Sequence, residues 1–178
     1  MTSLSHRRIA EPVLAALLAL GAVGLALVSQ HVVGLQPCPW CVLQRLVFVL
    51  GAGVALLEAS ALMALHRGSG GAGAGLRMGC QASAGLRLVL ALSGAAAAGW
   101  QHFVAAAQAS CNLTLADQIL ALTRLDGLLP DIFQPRASCV DAKAWLMGMP
   151  YEFWSAALFA LLAVAALASV TLTRTSKA

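Results

Sequence analysis

At 178 residues, 60% hydrophobic and only 10% charged, the chain is too apolar for a soluble domain, where roughly a quarter of residues are charged. Its mean hydropathy of +0.83 suits a protein solvated by lipid. The formal net charge of +4 does not point to nucleic acid, because the basic residues sort by loop and report membrane topology instead.

Four apolar stretches are long enough to cross a bilayer, which takes about 20 residues. They are expected near 13–33, 42–65, 84–107 and 153–172. Ala and Gly recur in all four, which favours close helix–helix packing in lipid. The expected fold class is all-α: a single membrane domain over 1–178, a four-transmembrane-helix bundle with a short outer loop at 34–41 and a long one at 108–152. The first stretch follows Arg7 and Arg8, as a secretory signal would. Its apolar run exceeds the roughly 7–15 residues of a signal core, so it reads as a retained anchor.

The most informative motif is Cys38-Pro39-Trp40-Cys41, at the mouth of the second stretch. A Cys-x-x-Cys pair closes into a disulfide and reopens, and a helix N-terminus or a nearby cation makes its thiols reactive. Proline is favoured at the first position of a helix, where its missing N–H costs nothing. Pro39 therefore predicts that the second helix begins inside the motif, with Cys38 near its cap and the positive end of the helix dipole beside the sulfurs. Arg45 stands four residues after Cys41, on the same helical face, and an intramembrane arginine is a functional candidate. Gln44 offers a hydrogen bond to a bound carbonyl. Trp40 reads as an interfacial anchor.

The third stretch ends in Trp100-Gln101-His102-Phe103; His102 is of interest because this helix should end on the same membrane face as Cys41. In the long outer loop, Ile119, Leu120, Leu122 and Leu125 recur at near-helical spacing between polar residues, which predicts a short helix lying on the membrane surface. A second such piece is expected from Asp141 to Met147, with Trp145 and Leu146 facing lipid. Gly127, Pro130 and Pro135 should interrupt regular structure.

Arg7, Arg8, Arg67, Arg77, Arg87, Arg174 and Lys177 fall on one side of this topology, accompanied by Glu11; Arg124, Arg136 and Lys143 fall on the other, among five acids. Counted by Lys and Arg, both termini are expected to be cytoplasmic. Four of the five cysteines, Cys38, Cys41, Cys111 and Cys139, then lie on the outer side, where disulfides persist. Cys80 lies on the basic side and reads as an unpaired thiol at a helix entrance. The residues alone leave a redox relay and two structural staples both open. Zinc is a weaker fit, because Cys111 and Cys139 lack the tight spacing of a zinc knuckle; no metal site is expected.

The segment Pro37-Cys38-Pro39-Trp40-Cys41-Val42-Leu43-Gln44-Arg45 resembles the DsbB family, whose pattern is Cys-x-x-Cys followed by Gln or Glu and then Arg. Four helices and a later pair of outer cysteines extend the resemblance over almost the whole chain. The resemblance implies a bacterial inner-membrane, quinone-dependent thiol oxidase. Cys111 and Cys139 would form the outer disulfide that oxidises a soluble thioredoxin-fold partner resembling DsbA. Cys139 would then attack Cys38, and the electron pair would pass through Cys41 to a quinone from the membrane pool, ubiquinone ahead of menaquinone. Arg45 would stabilise negative charge there. His102 corresponds to a histidine near the quinone in family members, with a shorter spacing here to the next cysteine. The Pro-Trp between the paired cysteines departs from the best-studied member.

Two other readings stand beside this one: a non-enzymatic membrane scaffold with structural disulfides, and an enzyme resembling vitamin K epoxide reductase. The order of the cysteines, motif at helix two and pair in the following outer loop, favours the DsbB-like relay over the latter.

Overall fold

A computed structural model describes residues 2–68, 73–107 and 114–175 of the chain. Four long helices dominate: α1 (Thr2–His31), α2 (Pro39–His66), α3 (Gly73–Trp100, continued by a π-helical turn, Gln101–Ala105) and α7 (Tyr151–Thr175). Each contains a segment long and apolar enough to cross a membrane. Between α3 and α7 lie the short helices α4 (Leu115–Thr123), α5 (Leu125–Leu128) and α6 (Pro130–Phe133), then a two-stranded hairpin of β1 (Trp145–Leu146) and β2 (Met149–Pro150).

The bundle packs on small residues. Ala16, Ala19 and Val23 of α1 and Ala52, Ala55 and Ala59 of α2 are buried at helical spacing, so the backbones approach closely where lipid supplies no hydrophobic driving force. Helix α2 packs between α1 and α3, and α3 packs on α7, while α1 and α7 scarcely meet. At the centre Phe159 of α7 stacks on Phe48 of α2, ring centroids 4.0 Å apart, with Gly94 of α3 leaving room for the ring. The outward faces carry exposed Leu17, Leu25, Leu57, Val89, Leu161 and Val164, as a lipid-bathed bundle requires.

Helix α2 begins at Pro39 with Cys38 as its cap, as the position of the proline predicts. Helix α3 begins at Gly73, well before the expected 84, because Cys80 and Ala84 bury against the bundle and packing overrides the low helix propensity of glycine. Cys80 is accordingly inside α3 and buried rather than at a helix entrance.

Arg87 is not a loop charge either. It lies within the bundle, its Nη2 donating to both carboxylate oxygens of Glu11 at 3.0 and 2.8 Å and its Nε 3.0 Å from Glu58 Oε2. Ser169 of α7 donates to Glu11 Oε2 at 2.8 Å. A polar knot thus joins all four long helices.

The outer segment departs from expectation in its second half. Helix α4 forms where the leucine spacing places it, opened by a capping box between Thr114 and Asp117. Gly127 falls inside α5, and Pro130 starts α6 at its first position. No helix forms from Asp141 to Met147: the chain turns there and enters the hairpin, with Met147 and Gly148 both at positive φ (52° and 79°). Gly148 and Pro150 close off a helix and favour this two-residue turn.

Candidate redox site

The site grows from the first turn of α2. Cys38, at the cap, has extended backbone angles, and its Sγ accepts the Cys41 backbone N–H at 3.4 Å. These are first-turn N–H groups that have no partner within the helix. The side chains of Cys38 and Cys41 therefore share one end of the helix, their sulfurs 2.9 Å apart. Cys38 is fully buried. It sits in a cluster with Trp40, Val42, Leu46, Ala116, Leu120 and Phe133, so the short helices of the outer segment form the lid over the motif.

Cys139 packs against the same cluster. The segment leading to it is laced to the residue before the motif, with the Arg136 and Ala137 backbone N–H groups both donating to Pro37 O, at 2.9 and 3.3 Å. A hydrogen bond from the Cys38 thiol holds the Cys139 thiol below its ordinary range, opposed by burial and aided by the Trp40 backbone N–H. Donating to Cys139 and Cys41, together with burial, pushes the Cys38 thiol far up. Cys139 is therefore the thiolate of the pair and Cys38 the proton donor.

On the other side of the motif, Gln101 Nε2 donates to Cys41 Sγ at 3.2 Å. The amide is oriented by Gln44, whose Nε2 donates to Gln101 Oε1 at 2.7 Å. Gln101 opens the π-helical turn, an irregularity that recurs at functional sites. Arg45 is buried one turn beyond Cys41. Its Nη1 donates to Gln30 Oε1 at 2.7 Å and Ile132 O at 3.1 Å, and its Nη2 to Ala26 O at 3.4 Å. All are neutral acceptors. No carboxylate pairs with Arg45 among the described residues, so its charge is left to act on the sulfurs.

Of the residues singled out from sequence, Cys38, Cys41, Cys139, Gln44 and Arg45 come together. Gln44 is engaged by Gln101. His102 turns to α7, its Nδ1 2.7 Å from Glu152 Oε1 and its ring against Phe103 and Phe153. Cys111 lies outside the described residues. Trp40 is buried rather than spread at an interface, tilted on Trp100 with centroids 6.3 Å apart. Gln30 and Gln101 were not picked from the sequence. Both are polar residues in apolar helices, and the rule that such residues mark function would have found them.

A cavity of about 960 Å³ adjoins the motif, between α2 and α3 and under the outer segment, with Trp40, Leu43, Ala97, Trp100, Asp117 and Cys139 in its walls. Its volume falls in the range of small-molecule sites.

Residues 9–169 match the model of the family described as disulfide bond formation protein DsbB. The chain belongs to the DsbB family. Curated relatives named disulfide bond formation protein B include one from Aromatoleum aromaticum, 35% identical over 150 residues (83% of this chain and 82% of that one). One from Ralstonia nicotianae is 31% identical over 156 residues, covering 85% and 86%. One from a Polaromonas species is 35% identical over 175 residues, covering 93% and 90%. No solved structure gives a significant match. As a DsbB-family protein with four membrane-spanning helices, the chain is a multi-pass membrane oxidoreductase of disulfide bond formation.

Proposed function

We propose that the chain reoxidises a soluble, DsbA-like thioredoxin-fold oxidase and delivers the electron pair to the membrane quinone pool. It would do so from the inner membrane, with both termini in the cytoplasm. The carrying observation is that Cys38 lies 2.9 Å from the sulfur of Cys41 while Cys139 packs against the same buried cluster, near enough for the Cys38 and Cys139 thiols to shift each other's titration. Three sulfurs in series are the geometry a relay needs and an inert staple does not.

In this reading the partner's thiolate attacks Cys111 of a Cys111–Cys139 disulfide, forming a mixed disulfide and releasing Cys139 as thiolate. Cys139 attacks Cys38 of a Cys38–Cys41 disulfide, and Cys41 leaves with the electron pair. The partner's second thiol resolves the mixed disulfide and frees Cys111, which attacks Cys139 to re-form the outer disulfide and release Cys38; Cys38 and Cys41 would then close again as their electron pair passes to the quinone. Gln101, held by Gln44, donates to the departing sulfur of Cys41, and Arg45 adds a positive charge in a medium where charge is weakly screened. A quinone, ubiquinone ahead of menaquinone, supplies a lipid-soluble acceptor of two electrons and two protons. The residues suit such a group: Arg45 is a cationic side chain without a carboxylate one turn from Cys41, and an apolar cavity walled by two tryptophans and Cys139 opens on the α3 side of the motif. The energetics ask for it as well. A DsbA-like oxidase has a potential of about −120 mV, and each 30 mV of mismatch in a two-electron step costs about 1.4 kcal/mol, so thiols alone would stall. In this reading His102 serves only to support the α3–α7 seam, through Glu152.

The test uses purified protein in lipid nanodiscs with a reduced thioredoxin-fold donor and added quinone. Cys38→Ser and Cys41→Ser should each abolish quinone reduction while the helical content is kept. Turnover surviving in either variant would rule out the relay.

A further inference from the structure

We propose that the 145–150 hairpin is a lipid-docking foot, with Trp145, Leu146, Met147 and Met149 seated in the leaflet on the side of the redox cysteines. This inference is independent of the electron-transfer reading. Residues 144–151 contain no charged side chain. Trp145 is 72% and Met147 86% exposed, so nothing among the described residues covers them.

The turn chemistry points the same way. Positive φ at both central positions is the hairpin geometry that water-facing turns fill with Asn-Gly or Asp-Gly, whose polar side chains suit solvent. Here the first central position is Met147, a large apolar side chain held at φ 52°, where a non-glycine residue is disfavoured. A methionine at a tip surrounded by water gains nothing for that cost. In lipid it gains burial.

The occupant follows from continuity. The hairpin runs directly into α7, and its backbone is tied to the first turn of that span: Tyr151 N–H donates to Ala144 O at 2.9 Å and Trp154 Nε1 to Leu146 O at 3.3 Å. Trp154 is itself part-exposed on the outward face of the helix. The apolar tip therefore extends the lipid-facing surface of a membrane helix at the level where aromatic residues gather at bilayer interfaces. Lys143 and Asp141, on the other side of the hairpin, mark where the chain returns to water.

A diazirine analogue of methionine placed at position 147, and separately at Asp141, tests this in full-length protein reconstituted into phosphatidylethanolamine–phosphatidylglycerol vesicles. After illumination, lipid adducts found by mass spectrometry should be several-fold more abundant at 147 than at 141. Solvent adducts alone at 147, or equal lipid labelling at both positions, would overturn the foot. Cross-links at 147 mainly to an added thioredoxin-fold protein would also overturn it, and make the tip a protein contact. At 147 the analogue is close to methionine in size, so misfolding does not cloud the result there; at the exposed position 141 it gives up only the Ser138–Asp141 hydrogen bond.

Discussion

At Cys139 the neighbouring Cys38 thiol sets the balance between thiol and thiolate in the reduced protein. The thiol of Cys38 donates to it, and that donation is the largest cause of its lowered pKa. A donor to the charged form favours that form, so removing the donor must raise the Cys139 pKa. In fully reduced protein, Cys139 should be alkylated by iodoacetamide at a pH below the ordinary thiol range of about 8.5, while Cys38 stays unreactive. Cys38→Ala should move the Cys139 profile toward alkaline pH, read by mass spectrometry of the peptide that contains it. An unmoved profile would mean that the Trp40 N–H and the helix terminus alone set its reactivity. Arg45 belongs to the same scale: its hydrogen bonds are used up on Gln30 and on backbone carbonyls, which fixes the guanidinium while leaving its charge unspent.

At the scale of elements, the four spans and the start of α2 were legible because apolar runs and proline act locally, whereas α1 and α3 begin about ten residues before their apolar stretches. Pro39 fixed the start of α2, and the leucine spacing fixed α4. What sequence spacing does not hold is which face a side chain takes when several helices compete for it. Arg87 read as a loop charge because glycines precede it, yet two acids on other helices draw it inward. His102 and Gln101 are neighbours, and only the π-helical turn decides that Gln101 meets Cys41 while His102 meets Glu152. The expected Asp141–Met147 helix failed on the three residues after it, Gly148, Met149 and Pro150. Gly94 is a further case that only packing reveals. A Cβ there would collide with the edge of the Phe159 ring, and the ring cannot retreat because Phe48 lies stacked on it. Gly94→Ala should destabilise the protein by about 1–3 kcal/mol, the usual penalty of overpacking. Thermal unfolding of purified protein in micelles measures it, and Phe159→Leu in the same chain should return part of the loss. An unchanged melting temperature for Gly94→Ala would show that α3 and α7 shift apart freely.

Across the whole molecule, polar groups concentrate at two levels: the sulfur site near the start of α2, and the Glu11–Arg87–Glu58 knot well along the same helix. With Arg87 withdrawn into the bundle, Arg7, Arg8, Arg67, Arg77, Arg174 and Lys177 remain against Arg124, Arg136 and Lys143, so the basic bias that orients the chain survives. The knot also joins helices that otherwise hardly touch, since Glu11 on α1 receives both Arg87 from α3 and Ser169 from α7. The guanidinium serves the two acids unequally. Glu11 takes two hydrogen bonds, whereas Glu58 Oε2 lies near Nε without hydrogen-bond geometry, and Arg87 Nη1 has no partner among the described residues. Removing one member of a buried ion pair leaves the other uncompensated and costs about 3–5 kcal/mol, while replacing the whole set by apolar or neutral groups is often neutral. Arg87→Leu should therefore lower stability by about that amount, and Glu58→Gln, which leaves the Glu11–Arg87 pair whole, should cost far less. Adding Glu11→Gln and Glu58→Gln to Arg87→Leu should recover most of the loss, as judged by melting temperatures in nanodiscs. Arg87→Leu as stable as the parent, or a triple variant no better than the single one, would mean that shape rather than charge holds the four helices together at this level.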